Sequence, residues 1–330
     1  MRVVFFGASV TAQSKNYSSH SITGYVTFLD EVLSGSAYSV ARVAYGSCQY
    51  SNMGLYGLSN VILAKPSVVF FEWHTTGELV ISAEMLLRQK RLLSSLGITM
   101  ILLVLPSKKH KFSDSIDKYA MLPDLDLPCL DLRYLAINSE EVHFLRDDVH
   151  TNEVGAELYA KIIDKFIRDR FLCLSQPATD FSLHDLFEYG ADEQGALLYR
   201  EIQLDVLLRP GDFLYFSLDR GASIIFSFTR GPLCPDLEIG DSSLANSRIE
   251  HILDQWSYYN RQSCGLELAI DDGVVHYIMA LKRIPDISRF CPKAMEPLHA
   301  GKLPLSIDDL VFDIKSIFVP IDSMLTLRRA

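Results

Sequence analysis

The sequence predicts an α/β fold for the first half of the chain, a doubly wound three-layer domain on a five-stranded parallel sheet, followed by a β-rich, sandwich-like domain. Three observations lead to this prediction. Short apolar runs alternate with amphipathic helical patterns as far as residue 171; the segment 174–185 then breaks the pattern; and strand-like runs dominate the remainder. Alternating strands and helices are typical of a parallel sheet covered on both faces, whereas successive short strands are typical of sandwiches.

Five runs rich in Val, Ile, Leu and Phe are the strand candidates of the first domain. They lack the polar alternation of half-exposed strands, which suits parallel strands that are buried on both faces. The candidate strands are residues 2–7, 38–45, 67–72, 98–105 and about 128–132.

Three helical patterns lie between and after these runs. Residues 24–34 carry apolar residues at helical spacing and end before Gly35, and residues 78–95 end before Gly97. Glycine directly after the last turn is a common helix stop. Residues 153–171 form a clear amphipathic helix whose apolar positions share one face.

The composition changes at residues 174–185, where Pro177 and short polar residues predict a linker. The expected domains are therefore residues 1–173 and residues 186–330, and a length of 330 residues also favours two domains. The strand candidates of the second domain are residues 196–208, 212–218, 222–229, 264–270, 274–282 and 309–318.

Two further signals lie within the second domain. The tripeptide at residues 271–273, Asp-Asp-Gly, stands between two strand candidates and predicts the tight turn of a hairpin. Residues 246–257 are the segment of this domain that looks helical.

The charge and composition exclude several classes of partner. The net charge is −10 with no compensating basic stripe, which disfavours a nucleic-acid partner. No run approaches the roughly 20 apolar residues of a membrane span. The six cysteines form no CxxC pair, and Met1 leads directly into a short strand instead of a signal peptide. We therefore expect reduced thiols and a cytoplasmic location.

No cofactor or metal is expected. Glu72 and His74 stand two residues apart at a strand end, but two ligands without a third do not make a metal site. No glycine-rich phosphate loop is present either.

Two features of the sequence indicate its chemistry: a serine at the end of the first strand, and an Asp-x-x-His motif far downstream. Ser9 follows the strand at 2–7, where open α/β sheets place their ligands. His150 precedes the helix at 153–171, so it belongs to the same edge of the sheet, and Asp147 is close enough to orient its imidazole. Each motif alone is weak. Together they favour a serine hydrolase or an acyltransferase.

These motifs resemble the SGNH/GDSL hydrolase family over about residues 1–172. The family's Gly-Asp-Ser block reads Gly-Ala-Ser at residues 7–9, and its Asp-x-x-His block reads Asp-Asp-Val-His at residues 147–150, with Gly155 in the place of the glycine that opens the next helix. The resemblance implies a flavodoxin-like three-layer fold. It also implies a nucleophile, a base and an orienting acid at Ser9, His150 and Asp147, respectively.

The middle motifs depart from the family pattern. The resemblance implies an oxyanion-hole glycine after the second strand, for which Gly46 is the best candidate. The family's Gly-x-Asn-Asp block after the third strand has no asparagine here, since residues 70–78 read FFEWHTTGE. The replacement donor would come from His74, Thr75 or Thr76. Counting from Pro66 favours Thr76, and side-chain capacity favours His74.

The first functional hypothesis is a serine esterase that removes an O-acyl group, in particular O-acetyl, from a saccharide or small ester. The second is an acyltransferase that passes the acyl group to a glycan precursor with the same triad. The third is a glycan-binding or assembly protein on a hydrolase fold, which the missing Asp and Asn motif residues suggest. The β-domain would bind glycan, cover the active site or build a homo-oligomer interface. The sequence does not choose between these roles.

Overall fold

The chain forms two compact units, Met1–Tyr189 and Gly190–Ala330, in a computed structural model. The structure describes residues 1–16, 19–35, 37–46, 48–51, 53–76, 81–108, 127–137, 143–171, 191–192, 195–196, 198–231, 233–242, 246–252, 262–271, 273–286 and 306–330. The predicted linker at 174–185 lies outside these residues.

The first unit is built on a five-stranded parallel sheet, as predicted. Its strands are β1 (Arg2–Gly7), β2 (Ser39–Ala44), β3 (Val68–Glu72), β4 (Thr99–Val104) and β5 (Cys129–Asp131). Their order in the sheet is β2-β1-β3-β4-β5. The chain therefore reverses its direction of travel across the sheet after β2, and β1 lies between β2 and β3.

Apolar residues fill both faces of the central strands. Every residue of β3 is buried, and β1 is buried from Val3 onwards. On one face Phe5 stacks on Phe70, with ring centroids 5.0 Å apart; on the other, Phe6 meets Phe71 edge-on at 5.1 Å. Such two-sided burial explains why the strand sequences read as continuous apolar runs.

Seven short or long α-helices connect or follow these strands in the described part of the unit. They are α1 (Ser9–Ala12), α2 (Tyr25–Phe28), α3 (Met53–Tyr56), α4 (Leu58–Leu63), α5 (Ala83–Ser95), α6 (Tyr134–Ile137) and α7 (Glu153–Arg170). The predicted helix at 24–34 is present but changes character, because α2 continues as a π-helix over Leu29–Leu33.

The predicted start of the helix at 78–95 is wrong. The helix begins at Ala83, since Ser82 is extended and its side chain accepts a hydrogen bond from the backbone N–H of Met85, which is the geometry of an N-cap. The prediction for 153–171 is confirmed within one residue. Asn152 caps this helix by accepting from the N–H of Gly155.

Within its described residues, the second unit contains two larger antiparallel sheets and a small two-stranded one. The strands are β6 (Ala191–Asp192), β7 (Gly195–Ala196), β8 (Tyr199–Leu208), β9 (Phe213–Leu218), β10 (Ala222–Arg230), β11 (Leu237–Asp241), β12 (Arg248–Glu250), β13 (Gln262–Ile270), β14 (His276–Ala280), β15 (Phe312–Pro320) and β16 (Leu325–Arg329). The sheet orders are β13-β10-β15-β8, β12-β11-β14-β9-β16 and β6-β7. The two larger sheets share one core, in which Phe216 of β9 meets Phe226 of β10 edge-on at 5.0 Å. This is the predicted β-rich domain.

Two local predictions in this unit are wrong. The turn at 271–273 does not close a hairpin, because β13 and β14 on either side of it belong to different sheets. Gly273 nevertheless adopts a positive φ of 66°, as a tight turn requires. The predicted helix at 246–257 contains the edge strand Arg248–Glu250, which pairs with β11, so tertiary pairing overrides the local helical pattern there. The part of that segment after Ile252 lies outside the described residues.

Within the described residues, no helix has the length and apolar character that crossing a membrane requires.

Candidate active site

The candidate site lies where three neighbouring strands of the parallel sheet end. Gly7 at the end of β1 pairs with Ala44 of β2 on one side and with Glu72 of β3 on the other. Ser9, Gly46 and His74 each follow two residues after this common rung. The sheet order therefore brings the three predicted loops to one edge, which is where open α/β sheets bind ligands.

Ser9 is the first residue of α1, which begins directly after the strand. Its neighbours Ala8 and Val10 are buried, whereas Ser9 keeps partial exposure. The Ala8 N–H still donates to the carbonyl oxygen of Glu72 at 3.1 Å, so the β1–β3 pairing extends to the residue before Ser9. The serine is therefore fixed on the end of the sheet while its side chain remains accessible.

Asp147 and His150 lie in a tight loop immediately before α7. The loop is closed at its base by the backbone bonds from Arg146 N–H to the His150 carbonyl, 2.9 Å, and from Asn152 N–H to the Phe144 carbonyl, 3.1 Å. Within the loop, Oδ1 of Asp147 accepts from the His150 N–H at 2.8 Å. An aspartate that accepts bonds from the backbone two or three residues later stabilises such a turn by itself.

The structure brings Ser9, His150 and Asp147 together in one hydrogen-bonded chain. Oγ of Ser9 lies 2.9 Å from Nε2 of His150, and Nδ1 of His150 lies 3.0 Å from both carboxylate oxygens of Asp147. A carboxylate accepts only, so the Asp147 contact assigns the ring proton to Nδ1. Nε2 is then the acceptor for the Ser9 hydroxyl, which is the protonation state that a general base requires.

The environment of Asp147 favours its ionised form. Partial burial of the carboxyl raises its pKa, but this is outweighed by the hydrogen bonds that it accepts from the N–H groups of His150 and Val149 and by the nearby imidazole. The net result is a pKa of Asp147 below its ordinary value. The side chain of His150 is 25% exposed and that of Asp147 is 50% exposed. The triad is therefore reachable from solvent at its acid end as well.

A second set of hydrogen bonds joins the serine segment to the histidine segment. Nε2 of Gln13, four residues after Ser9, donates to the carbonyl oxygen of Thr151 at 2.7 Å. The hydroxyl of Thr151, which is fully buried, donates to the carbonyl oxygen of Thr23 at 2.6 Å. Because Thr151 directly follows His150, these bonds fix the imidazole relative to the helix that begins at Ser9.

The three predicted oxyanion residues lie in the turns that follow β2 and β3. Gly46 is partly exposed, and a Cβ atom added there would meet open space. His74 is 1% exposed. Thr76 is partly exposed, and its hydroxyl donates to the carbonyl oxygen of Trp73 at 3.0 Å. The two candidates for the oxyanion donor therefore differ. The side chain of His74 is buried, and the hydroxyl proton of Thr76 is already bound to the carbonyl oxygen of Trp73.

Sequence reasoning missed the residues that support the site from below. They are Thr11, Gln13 and Thr151, and the supporting role of Glu72 and Thr75 was missed as well. The bond between Thr11 and Glu72 joins positions 61 residues apart, the bond between Gln13 and Thr151 joins positions 138 apart, and the bond between Thr75 and Glu72 is local. One signal was available: a glutamate that ends an otherwise apolar strand, since a buried carboxyl needs hydrogen-bond donors nearby.

Among solved structures, two structures of a two-domain esterase match nearly the whole of this chain. A two-domain esterase (CEX) active on acetylated mannans matches with a TM-score of 0.60 and 13% sequence identity, over 96% of this chain and 90% of that one. The same esterase co-crystallised with mannopentaose matches with a TM-score of 0.59 and 13% identity, over the same shares. No protein-family model and no curated protein matches the sequence.

At this identity the structural likeness defines the fold. The chain has an α/β domain on a five-stranded parallel sheet followed by a β-rich domain, as the sequence predicted, and the likeness extends over both units. What the protein does must be argued from the side chains at the sheet edge.

Proposed function

We propose that this chain is a serine esterase of the SGNH/GDSL family that removes an O-acetyl group from a saccharide or a small ester. One observation carries the proposal. Ser9, His150 and Asp147 form a continuous hydrogen-bonded chain with distances of 2.9 and 3.0 Å at the carboxyl edge of the parallel sheet. This is the arrangement that activates a serine for acyl transfer.

The first half of the reaction acylates the enzyme. Oγ of Ser9 attacks the ester carbonyl carbon while Nε2 of His150 takes the hydroxyl proton. The tetrahedral intermediate collapses, the bond to the leaving alcohol breaks, and His150 returns the proton to that oxygen. Asp147 keeps the imidazole in the required tautomer and stabilises its positive charge.

The second half releases the acyl group. A water molecule gives a proton to His150 and attacks the acyl-serine carbonyl carbon, and the carboxylic acid leaves as Ser9 regains its proton. His150 therefore acts first as base and then as acid in each half. At the end of the cycle Ser9, His150 and Asp147 are back in their starting protonation states.

The oxyanion would be held by the backbone N–H groups of Ser9 and Gly46 and by one donor from His74, Thr75 or Thr76. The common rung of β1, β2 and β3 supports this set, because it places both loops beside Ser9. His74→Ala and Thr76→Val separate the two side-chain candidates. Loss of one donor is expected to lower kcat by about 10² to 10³-fold.

The choice of an acetylated saccharide as substrate rests on the two-domain likeness. The esterase that matches over both units is described as active on acetylated mannans. We therefore propose acetylated oligosaccharides as the first natural substrates to examine. The chemistry of the triad itself would serve any accessible carboxylic ester.

The test is the hydrolysis of p-nitrophenyl acetate by the wild type, Ser9→Ala and Ser39→Ala. Ser39 is exposed and begins β2, at the opposite end of the sheet. Ser9→Ala is expected to lower kcat by about 10⁶-fold, to the detection limit, without a large change in stability. Ser39→Ala is expected to keep the wild-type rate. Undiminished ester cleavage by Ser9→Ala would refute the proposal.

A further inference from the structure

A buried carboxyl group lies at the strand ends that carry the candidate active site. Glu72 is the last residue of β3 and has no solvent exposure. Both of its oxygens accept hydrogen bonds: Oε2 from the hydroxyl of Thr11 at 2.9 Å, and Oε1 from the hydroxyl of Thr75 at 2.7 Å. Burying a carboxyl group costs free energy unless hydrogen bonds compensate for the lost water. The two hydroxyls therefore allow Glu72 to remain buried at this strand end.

The two hydroxyls that bind Glu72 belong to two different parts of the site. Thr11 is fully buried and lies two residues after Ser9 in the four-residue helix α1. Thr75 lies in the turn after β3, between the oxyanion candidates His74 and Thr76. One carboxyl group therefore connects the helix of the nucleophile to the turn that carries the candidate donors.

A tyrosine orders the hydrogen bonds of this network. Oη of Tyr25 lies 2.8 Å from Oγ1 of Thr11. Because Thr11 gives its proton to Glu72, it accepts from Tyr25, and the bonds run from Tyr25 through Thr11 to the carboxyl. Burial, and then the charge of Glu72, raise the pKa of Tyr25 well above its ordinary value, which keeps the phenol protonated as a donor.

The strand exit is shaped to allow this contact. A Cβ atom added at Gly7 would lie 2.6 Å from Oγ1 of Thr11 and would clash with the carbonyl oxygen of Glu72. Glycine at this position is therefore needed for the close approach of Thr11 to the end of β3, and not only for the turn that leads to Ser9.

We propose that Glu72 is a positioning residue of the active site, which holds the helix of Ser9 and the turn of residues 74–76 in one fixed relation through Thr11 and Thr75. The inference rests on the proposed esterase function. It follows from the chemistry, because the nucleophile and the oxyanion donors must meet the same carbonyl group, and a displacement of either by about 1 Å can cost about 10²-fold in rate.

The first test is a double-variant cycle on the two hydroxyls. Thr11→Val and Thr75→Val keep the side-chain shape and remove the hydrogen bond. Each is expected to lower kcat for p-nitrophenyl acetate by about 10-fold with KM changed less than about twofold, since a looser site loses transition-state stabilisation first. Thr11→Ser and Thr75→Ser, which restore the hydroxyl, are expected to recover most of the rate.

The double variant distinguishes a shared role from two separate ones. The longer bond from the Thr75 backbone N–H to Oε1 of Glu72, 3.4 Å, remains in Thr75→Val. If the two hydroxyl bonds hold the segments in one fixed relation, breaking either of them already loosens that relation. The variant with both substitutions is then expected to be less than about threefold slower than the slower single variant. Losses that multiply to about 100-fold, or single variants within twofold of wild type, would overturn the proposal.

The variant Glu72→Gln provides a second, independent test of the positioning role. The amide nitrogen would have to face one of two hydroxyls that now donate, so one bond must reverse, and kcat is expected to fall by about 10-fold or more with KM retained. A purely structural role predicts a lower unfolding midpoint with kcat per folded molecule unchanged. Should Glu72→Gln fail to fold, Thr75→Val decides the question, because Thr75 is only partly buried.

This outcome is separable from that of the proposed function. The esterase proposal fails if Ser9→Ala retains the rate. The positioning proposal fails if a rate that depends on Ser9 does not respond to changes at Thr11, Thr75 and Glu72.

Discussion

The two units of this protein use their interiors differently. In the first, polar side chains such as Thr11, Glu72 and Thr151 are fully buried near the carboxyl ends of the strands. In the second, the shared core of the two large sheets is apolar, with close aromatic contacts such as Phe228 to Phe312 at 4.8 Å. Among the described residues of that unit, the buried polar or charged side chains are Asp236, Ser316 and Ser323.

The proposed active site gives a physical reason for this difference, because it needs polar groups in the interior of the first unit. A buried polar group costs stability unless it is hydrogen-bonded, and even then its net contribution is modest. In the first unit several of these groups, Thr11, Glu72 and Thr151 among them, form hydrogen bonds beside Ser9 and His150. We therefore expect substitutions at its sheet edge to act mainly on rate, and substitutions in the second core to act mainly on stability.

Among the variants that compare the two units, Asp147→Asn has the largest expected effect, and that effect is on the rate. The amide can present a donor to His150 and favours the wrong tautomer, so kcat is expected to fall by about 10⁴-fold. The unfolding free energy should change little, since half of the Asp147 side chain is exposed. Steady-state kinetics and denaturant unfolding measure the two quantities. Asp148→Asn is the matched control, and an equal loss there would show that Asp147 has no special role.

The opposite behaviour is expected for Phe226→Ala in the second unit. Phe226 is fully buried between the two sheets, so truncation should lower the unfolding free energy of this unit by about 3–5 kcal/mol. The kcat for p-nitrophenyl acetate should stay within twofold of wild type, because every candidate site residue belongs to the first unit. Met324→Ala, at a 69% exposed position, serves as the control. Equal losses of rate and stability would remove the contrast between the units.

Gly155→Ala is expected to have an intermediate effect on both quantities. An added Cβ would clash with the carbonyl oxygen of Phe144, at the base of the loop that carries Asp147 and His150. We expect a loss of about 1–3 kcal/mol in unfolding free energy, with a lower kcat because the loop must shift. Val154→Ala, at the preceding exposed position of α7, should change neither. Wild-type kinetics for Gly155→Ala would show that the loop position tolerates displacement.

The smallest expected effect is the pH dependence of stability at Asp147. Its folded-state pKa is lowered, so ionisation stabilises the folded protein above the unfolded-state pKa of about 3.9, and this contribution is lost as the pH falls through the lower folded-state value. The stability difference between wild type and Asp147→Asn should therefore shrink below about pH 4. Urea unfolding from pH 5 downwards measures it. A difference that grows on acidification would contradict the lowered pKa.

Local signals were sufficient to predict much of the fold and to single out Ser9, Asp147 and His150, which the structure brings together. The apolar runs predicted all five parallel strands, most clearly β1, β3 and β4, which are buried almost throughout, whereas the edge strands β2 and β5 are only partly buried. Ser9 was predictable since it directly follows β1, and Asp147 and His150 lie within one turn, where the carboxylate reaches both the backbone and the ring of His150. Such features depend on residues that are close in sequence.

Only the tertiary structure shows which residues form hydrogen bonds around the candidate site and which strands pair in the second unit. The bond from Gln13 to Thr151 joins positions 138 residues apart, and the bond from Thr11 to Glu72 joins positions 61 apart. The turn at 271–273 was predictable, but not that it leads from one sheet to another. The physical reason is the same in each case. A side chain's hydrogen-bonding capacity is encoded locally, whereas its partner is chosen by the packing of segments that no short pattern relates.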